Sequence, residues 1–188
     1  MENKSQPKQF ITQYFNQSYD KSDSENSEES TKIEIYTDGA CINNGKKNAC
    51  SSFAFTIYFN DNLIYKSSKK IEESKQTNQR AELYSIYYAL EYLKMNYDSL
   101  IRNQNNVIIL YSDSEYSIKC ITEWSKNWNQ NDWKEKKNTD IIKNILNILP
   151  NFYVFFKHVK SHQTDGNIHS QRNNYVDQLA RNAIQINI

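Results

Sequence analysis

Three strand-like runs succeed one another between Ile33 and Ile71 before any helical period begins, and that order constrains the fold more than any other feature of the chain. Ile33 to Asp38 (IEIYTD) alternates as a strand, and DGACINNG, residues 38–45, supplies a turn. The next run, SSFAFTIYF, sets Phe53, Phe55, Ile57 and Phe59 on one face. Asn60-Asp61-Asn62 then interrupts it, and LIYKSSKKI reads as the return strand of a hairpin. A 3.6-residue period predicts a long helix over 77–95, and the unbroken apolar run Val107–Tyr111 predicts a central strand. Helices are expected from Ser114 to Thr122 and from Asp140 to Leu149, where Pro150 stops the second. A short strand over 152–156 and a terminal helix over 171–186 complete the order β-β-β-α-β-α-α-β-α. An α/β domain follows, with a mixed sheet and helices on its faces.

Four acids stand where this pattern brings chain segments together. Asp38 and Asp113 each follow a strand-like run, and strands that end together present such residues at one sheet edge. Glu82 is expected in the first turn of its helix, on a stripe with Ile86, Ala89 and Leu93. Asp177, also expected near its helix start, shares a face with Ala180 and Ile184. An acid on an apolar face is anomalous unless it meets charge. Taken singly, each has an ordinary local use, as a turn residue, an N-cap or a helix-dipole partner. Taken together, four converging carboxylates repel one another and are costly to desolvate. Divalent cations relieve that cost, hard oxygen ligands favour Mg²⁺ or Mn²⁺, and two such ions make a phosphodiester-cleaving centre.

The charge distribution agrees. Residues 1–30 carry three Lys and six Asp/Glu, a net of −3, and residues 31–188 carry 20 Lys/Arg and 16 Asp/Glu, a net of +4. Setting aside the four proposed ligands leaves 20 against 12, a basic working domain suited to a polyanion such as nucleic acid. NQSYDKSDSENSEES, residues 16–30, is polar, acidic and Ser-rich, so 1–30 is expected to be a disordered acidic tail; FITQYF, 10–15, is the apolar patch before it. Cys41, Cys50 and Cys120 are odd in number and lack CxxC spacing, which points to reduced thiols and an intracellular setting. No run approaches a bilayer span, no secretory apolar core opens the chain, and no heptad argues against a monomer.

With their flanks, YTDGA, TNQRAEL, YSDSEY and VDQLAR resemble, in order and approximate spacing, the four acidic segments of the ribonuclease H family. The likeness runs from about Ile33 to Ala183 and is nearest the cellular type 1 enzymes of eukaryotes. It implies the ribonuclease H-like fold, a five-stranded mixed sheet with helices on both faces. It also implies Mg²⁺-dependent cleavage of RNA in RNA–DNA hybrids, leaving 3′-hydroxyl and 5′-phosphate ends. Asp38, Glu82, Asp113 and Asp177 would hold two Mg²⁺ ions, with Mn²⁺ as a substitute. The context VKSH points to His162 as a loop histidine that shuttles protons or assists product release. His162 lies 15 residues before Asp177, more than the family interval, so His169 is its rival, while His158 is expected at a strand end. Asn173 would orient Glu82 or a bound water.

The same resemblance assigns the hybrid-reading residues. Asn44, Asn78 and Gln79 occupy RNA-contacting positions, where amides suit a 2′-hydroxyl as donors and acceptors. WSKNWNQNDWKEKK corresponds to a basic protrusion, with Trp124 against a DNA sugar and Lys126, Lys134, Lys136 and Lys137 near phosphates. Trp124 and Trp128, i and i+4, are expected to share a helix face. Thr77, Asn138 and Lys75 would form a DNA-phosphate pocket, with Lys75 where the family pattern has Arg; Cys41 stands by the active-site turn. Two other classes fit the acids alone: a DNA-cutting integrase or resolvase, and a hybrid-binding module without catalysis. A detached reverse-transcriptase domain is a third. TNQR and the Trp-rich stretch argue against the first, and the intact acid set against the second.

Overall fold

The computed structural model describes residues 31–102, 106–161, 163 and 166–185. The expected acidic tail over 1–30 lies outside them. Five strands form one mixed sheet: β1 Lys32–Ile42, β2 Cys50–Phe59, β3 Asn62–Lys70, β4 Val107–Ser112 and β5 Val154–His158. Their order is β3-β2-β1-β4-β5, with β1/β2 and β2/β3 antiparallel and β1/β4 and β4/β5 parallel. The main helices are α1 Asn78–Asn96, α2 Asp98–Arg102, α3 Glu115–Thr122, α4 Gln130–Glu135, α5 Thr139–Ile148 and α6 Ile168–Gln185.

The hairpin between β2 and β3 turns on Asn60 and Asp61, both at positive φ (44° and 67°). Two left-handed residues make a tight turn whose twist matches the flanking strands. On one sheet face Ile33, Ile35, Phe53, Phe55, Ile57, Ile108 and Leu110 pack with Leu83, Ile86 and Leu90 of α1 and Ile141, Ile142 and Ile145 of α5. On the other face Tyr36, Ala54, Tyr58, Ile109 and Tyr111 pack with Val176, Ala180 and Ile184 of α6. Helices therefore cover both faces, and the phase of each strand decides which residues enter which layer. The small Ala180 lets α6 lie close to the sheet, where the Ser52 hydroxyl donates to its carbonyl oxygen. No helix among the described residues is long and apolar enough to cross a membrane.

A buried polar knot ties α6 to β1. Glu34, on the α6 side of β1, accepts Arg172 Nη1 at 2.5 Å and the Tyr111 hydroxyl at 3.1 Å. Arg172 also donates to the Asp61 carboxylate at 2.9 Å, and its guanidinium lies 4.0 Å from the centre of the Tyr58 ring. His169 Nδ1 pairs with the Tyr36 hydroxyl at 2.6 Å and its ring stacks on Tyr111. Each buried charge is thus both paired and hydrogen-bonded, as burial demands.

Several expected boundaries move. DGACINNG is not all turn: β1 runs on to Ile42, because the small Gly39 and Ala40 continue the ladder opposite Phe53 and Ser52. The reversal is confined to the following loop, where Asn43 and Gly45 take positive φ. The last strand is Val154–His158, two residues later than expected, since Phe152 follows the 3₁₀ turn Leu149–Asn151 set by Pro150. The terminal helix begins at Ile168 instead of 171, after Asn167 accepts the His169 N–H. Trp124 and Trp128 do not share a helix face. Trp124–Asn127 is a 3₁₀ turn, and Trp128 beyond it is extended. Trp128 instead meets Trp133 edge-on at 4.8 Å, partly buried against the core.

Candidate active site

The parallel ladder between β1 and β4 ends at Thr37 opposite Ser112. The next residues on the two strands are Asp38 and Asp113, so the register itself sets these acids side by side. Asp38 still pairs with Ala54 on β2, which makes it a mid-strand residue on that side rather than a strand-end residue. Chain direction changes just beyond Asp113, where the Ser114 hydroxyl caps α3 by accepting the Ser117 N–H.

Glu82 arrives from α1. Thr77 caps that helix, its hydroxyl accepting the Arg80 N–H at 3.2 Å, and Glu82 is the fifth helical residue, past the first turn. Its stripe partners Ile86, Ala89 and Leu93 are all buried, as expected. Gly39 allows the approach. A Cβ there would lie 2.2 Å from the Glu82 nitrogen and 2.3 Å from the Ala81 carbonyl carbon. The helix backbone thus rests directly on β1, and Glu82 reaches Asp38 and Asp113.

One carboxylate oxygen from each of Asp38, Glu82 and Asp113 lies within 4.8 Å of the others. Asp38 and Glu82 are only 4% and 6% exposed. Burial, then the Asp113 and Asp177 charges, push the Asp38 carboxyl up to about 8. Burial and the Asp38 and Asp113 charges raise Glu82 well above the usual carboxylate range. Asp113 is raised chiefly by burial, with Asp177 adding to it. The Gly39 N–H, which lowers both Asp38 and Glu82, only partly offsets this. Glu82 Oε2 is buried with no hydrogen-bond partner. A tight, all-oxygen, uncompensated anionic set with an orphaned acceptor fits a hard divalent cation.

Asp177 joins this set less closely. It is the tenth residue of α6, not a first-turn acid, and its carboxylate accepts Arg181 Nε at 2.6 Å. Its charge nevertheless acts on both Asp38 and Asp113. Asn173, one turn earlier on the same helix face, is buried and points its amide at Asp113 (3.5 Å), not at Glu82. Its Oδ1 is also buried without a partner. His158, at the end of β5, has Nε2 3.2 Å from the Asp113 carbonyl oxygen. His162 lies outside the described residues. His169 is held in the Tyr36–Tyr111 knot, 3.8 Å from Glu34.

The expected RNA-facing residues gather beside the acids. Asn44 Oδ1 accepts the Asn78 N–H at 3.2 Å, which links the β1–β2 loop to the start of α1. Asn78 Nδ2 in turn donates to Glu82 at 3.4 Å, and Gln79 is exposed next to it. The expected DNA-facing residues divide. Trp124 is exposed, with its ring edge-on to Tyr116, and Lys126 and Lys75 are exposed. Asn138, in contrast, is buried, and its amide donates to the Tyr116 hydroxyl at 3.2 Å. The Thr77 hydroxyl accepts in the helix cap, which leaves its O–H free to donate. Cys41 is a free, partly buried thiol beside the β1–β2 loop.

Two structural supports escaped the sequence reading. Gly39 looked like a turn glycine, although its neighbours' alternation continues past it. Glu34 carried a usable signal: it shares the strand phase of Tyr36 and Asp38, so the argument that singled out Glu82 applied to it as well.

A family model described as RNase H matches residues 30–185. Over 152 residues the chain is 33% identical to a ribonuclease H of Schizosaccharomyces pombe, a match that covers 78% of this chain and 51% of that protein. The chain therefore spans about half the length of that relative. A ribonuclease H of Caldicellulosiruptor saccharolyticus is 34% identical over 164 residues, covering 82% of this chain and 97% of its own. Among solved structures, LC11-RNase H1 in complex with an RNA/DNA hybrid superposes with a TM-score of 0.60 at 24% identity, covering 82% of this chain and 97% of that one.

Proposed function

The chain belongs to the ribonuclease H family, and from that premise we propose that it is a Mg²⁺-dependent endoribonuclease that hydrolyses the RNA strand of RNA–DNA hybrids. The observation that carries this reading is the convergence of Asp38, Glu82 and Asp113 within 4.8 Å, with Asp177 acting on the same point. In this reading residues 31–188 form the catalytic domain, and one copy suffices because all four acids come from one chain.

Asp38, Glu82, Asp113 and Asp177 would hold two Mg²⁺ ions, with Mn²⁺ able to replace them. The bound cations would lower the pKa of the attacking water, stabilise the leaving 3′-oxygen and neutralise the scissile phosphate. The chain supplies the rest. Gly39 and the Thr77 cap fix Glu82 against β1, and Asn173 steadies Asp113. Asn44, Asn78 and Gln79 read 2′-hydroxyls on the RNA strand, with Asn44 joined to Asn78 through its main-chain N–H. Trp124 offers a flat apolar face to a deoxyribose, with Lys126 and Lys75 at phosphates. Thr77 and Asn138 line the DNA pocket: the cap uses the Thr77 hydroxyl only as an acceptor and leaves its O–H to donate, and one N–H of the Asn138 amide is held by Tyr116. His162 would shuttle protons or assist product release.

The product ends test this assignment. Incubation of a hybrid with Mg²⁺ should yield RNA fragments bearing 3′-hydroxyl and 5′-phosphate ends, with the DNA strand intact. Fragments ending in 2′,3′-cyclic phosphate would show attack by the RNA's own hydroxyl and overturn the hydrolytic reading, as would nicks in the DNA strand.

A further inference from the structure

The acids, the amide surface and the Trp-rich stretch leave one conspicuous surface unused. From Phe152 to Lys157 the chain alternates strictly. Phe152, Val154 and Phe156 pack into the core beneath the sheet, while Tyr153, Phe155 and Lys157 face the opposite way. Tyr153 is 66% and Phe155 60% exposed, the two most exposed aromatics among the described residues. Large aromatics left in water on a sheet face are a binding signal rather than a packing one. They stay uncovered because α6 packs chiefly across β1, β2 and β3.

Three features identify the occupant. The first is continuity with the active site: β5 pairs with β4 so that Lys157 lies opposite Tyr111, and Asp113 stands two residues beyond Tyr111 in the same strand phase. The second is charge. Lys157 is exposed on the same face as Phe155, Lys160 follows it, and Lys32 and Lys157 both act electrostatically on His169 at the border of this face. Glu34, 3.8 Å from His169, is paired with Arg172 and Lys32. The third is spacing. Alternate residues on a strand stand roughly 6.7 Å apart, within the reach of one nucleotide in an unstacked strand. Aromatic faces at such intervals beside lysines make a platform for successive bases of a single strand.

We propose that Tyr153, Phe155 and Lys157 bind a single-stranded RNA extension as it leaves the active site along β5. This rests on the ribonuclease H reading, and it adds a preference for hybrids with an unpaired RNA tail, such as the borders of a displaced or partly digested strand.

The test compares binding of the whole 188-residue chain to a blunt hybrid and to the same hybrid with a short 5′ or 3′ RNA tail, by fluorescence anisotropy in EDTA. One of the two tails should tighten binding about fivefold or more. Tyr153→Ser/Phe155→Ser should bring the tailed-to-blunt ratio to about one. Lys157→Glu should lower that ratio and its salt dependence. Melting curves establish that each variant is folded, and both aromatics are exposed enough for that to hold. Equal affinity for tailed and blunt hybrids in the unmodified protein would overturn the proposal, as would a preference that survives the double variant. A dimer in solution that the double variant dissolves would assign the strip to a second copy and overturn it too. Mg²⁺-dependent cleavage of the blunt hybrid reports on the ribonuclease H reading separately, so the two failures are distinguishable.

Discussion

Replacing Asp38 with Asn should reduce hybrid cleavage by about a thousandfold or more while making the metal-free protein more resistant to heat. The two effects share one cause. Asp38 is buried beside Asp113 and Asp177, and its carboxyl is pushed up to about 8 from an ordinary 3.8. A folded-state pKa raised above the unfolded value favours folding only while the group keeps its proton. For this group the metal-free fold is therefore at full strength below about pH 4 and loses stability as pH rises toward 8. Asparagine keeps the shape and removes the charge. Near neutral pH the variant should melt higher than the unmodified protein in EDTA, by about 4 °C or more. The gap should narrow below pH 5 or so, and narrow again when Mg²⁺ is added, because bound cation stabilises only the protein that can hold it. Melting curves across pH, with and without Mg²⁺, check all three. A variant that melts below the unmodified protein at every pH would mean that Asp38 is a structural acid with a partner in the fold.

Gly39→Ala should be the most destructive single methyl addition in the chain. The added carbon would stand 2.2 Å from one helix backbone atom, 2.3 Å from another and 2.8 Å from the Ala81 methyl. Two of these neighbours are main chain, so no rotamer change relieves the overlap. Either β1 or α1 must move by about an ångström, and each is locked, β1 between two strands and α1 by its buried stripe. A loss of about 3–5 kcal/mol is expected, with a fall in melting temperature of about 10 °C or more. Any folded fraction would hold Glu82 away from Asp38 and Asp113 and would cleave poorly. Adding Ala81→Gly should not rescue the variant, because that change clears only the 2.8 Å contact. Denaturant melts of the single and double variants decide it. A Gly39→Ala protein with unchanged stability would show that α1 does not rest on β1 in this way.

What could be read from the chain, and what could not, divides along a physical line. Alternation, helical period and caps are local, and they located every strand of the sheet and each of the three long helices. The acids were legible because their placement violated the local pattern, as Glu82 does on its apolar stripe. Contacts between distant segments left weaker marks. Arg172 and Glu34 meet across 138 positions, and only the strand phase of Glu34 hinted at it. The close packing at Gly39 looked like a turn because glycine serves both purposes. Asp177, expected near a helix start, is the tenth residue of α6, which begins at Ile168 after the Asn167 cap; a start at 171 would itself set it in the second turn. The orientation of Trp128 depended on a 3₁₀ turn in a stretch with no clear period. Two DNA-pocket residues, Thr77 and Asn138, also serve the fold, as a helix cap and as a donor to Tyr116, which no spacing could reveal.

The central claim is that the converging acids cleave RNA paired to DNA with the help of divalent cations. The most direct measurement follows end-labelled RNA–DNA hybrid, RNA duplex and DNA duplex in parallel, with Mg²⁺ or EDTA, for the unmodified protein and Asp113→Asn. The account predicts cutting of the hybrid's RNA strand alone, dependent on Mg²⁺ and lost in the variant while hybrid binding remains. Hybrid binding without cleavage, cleavage that persists in EDTA or in Asp113→Asn, or cutting of duplex DNA would contradict it.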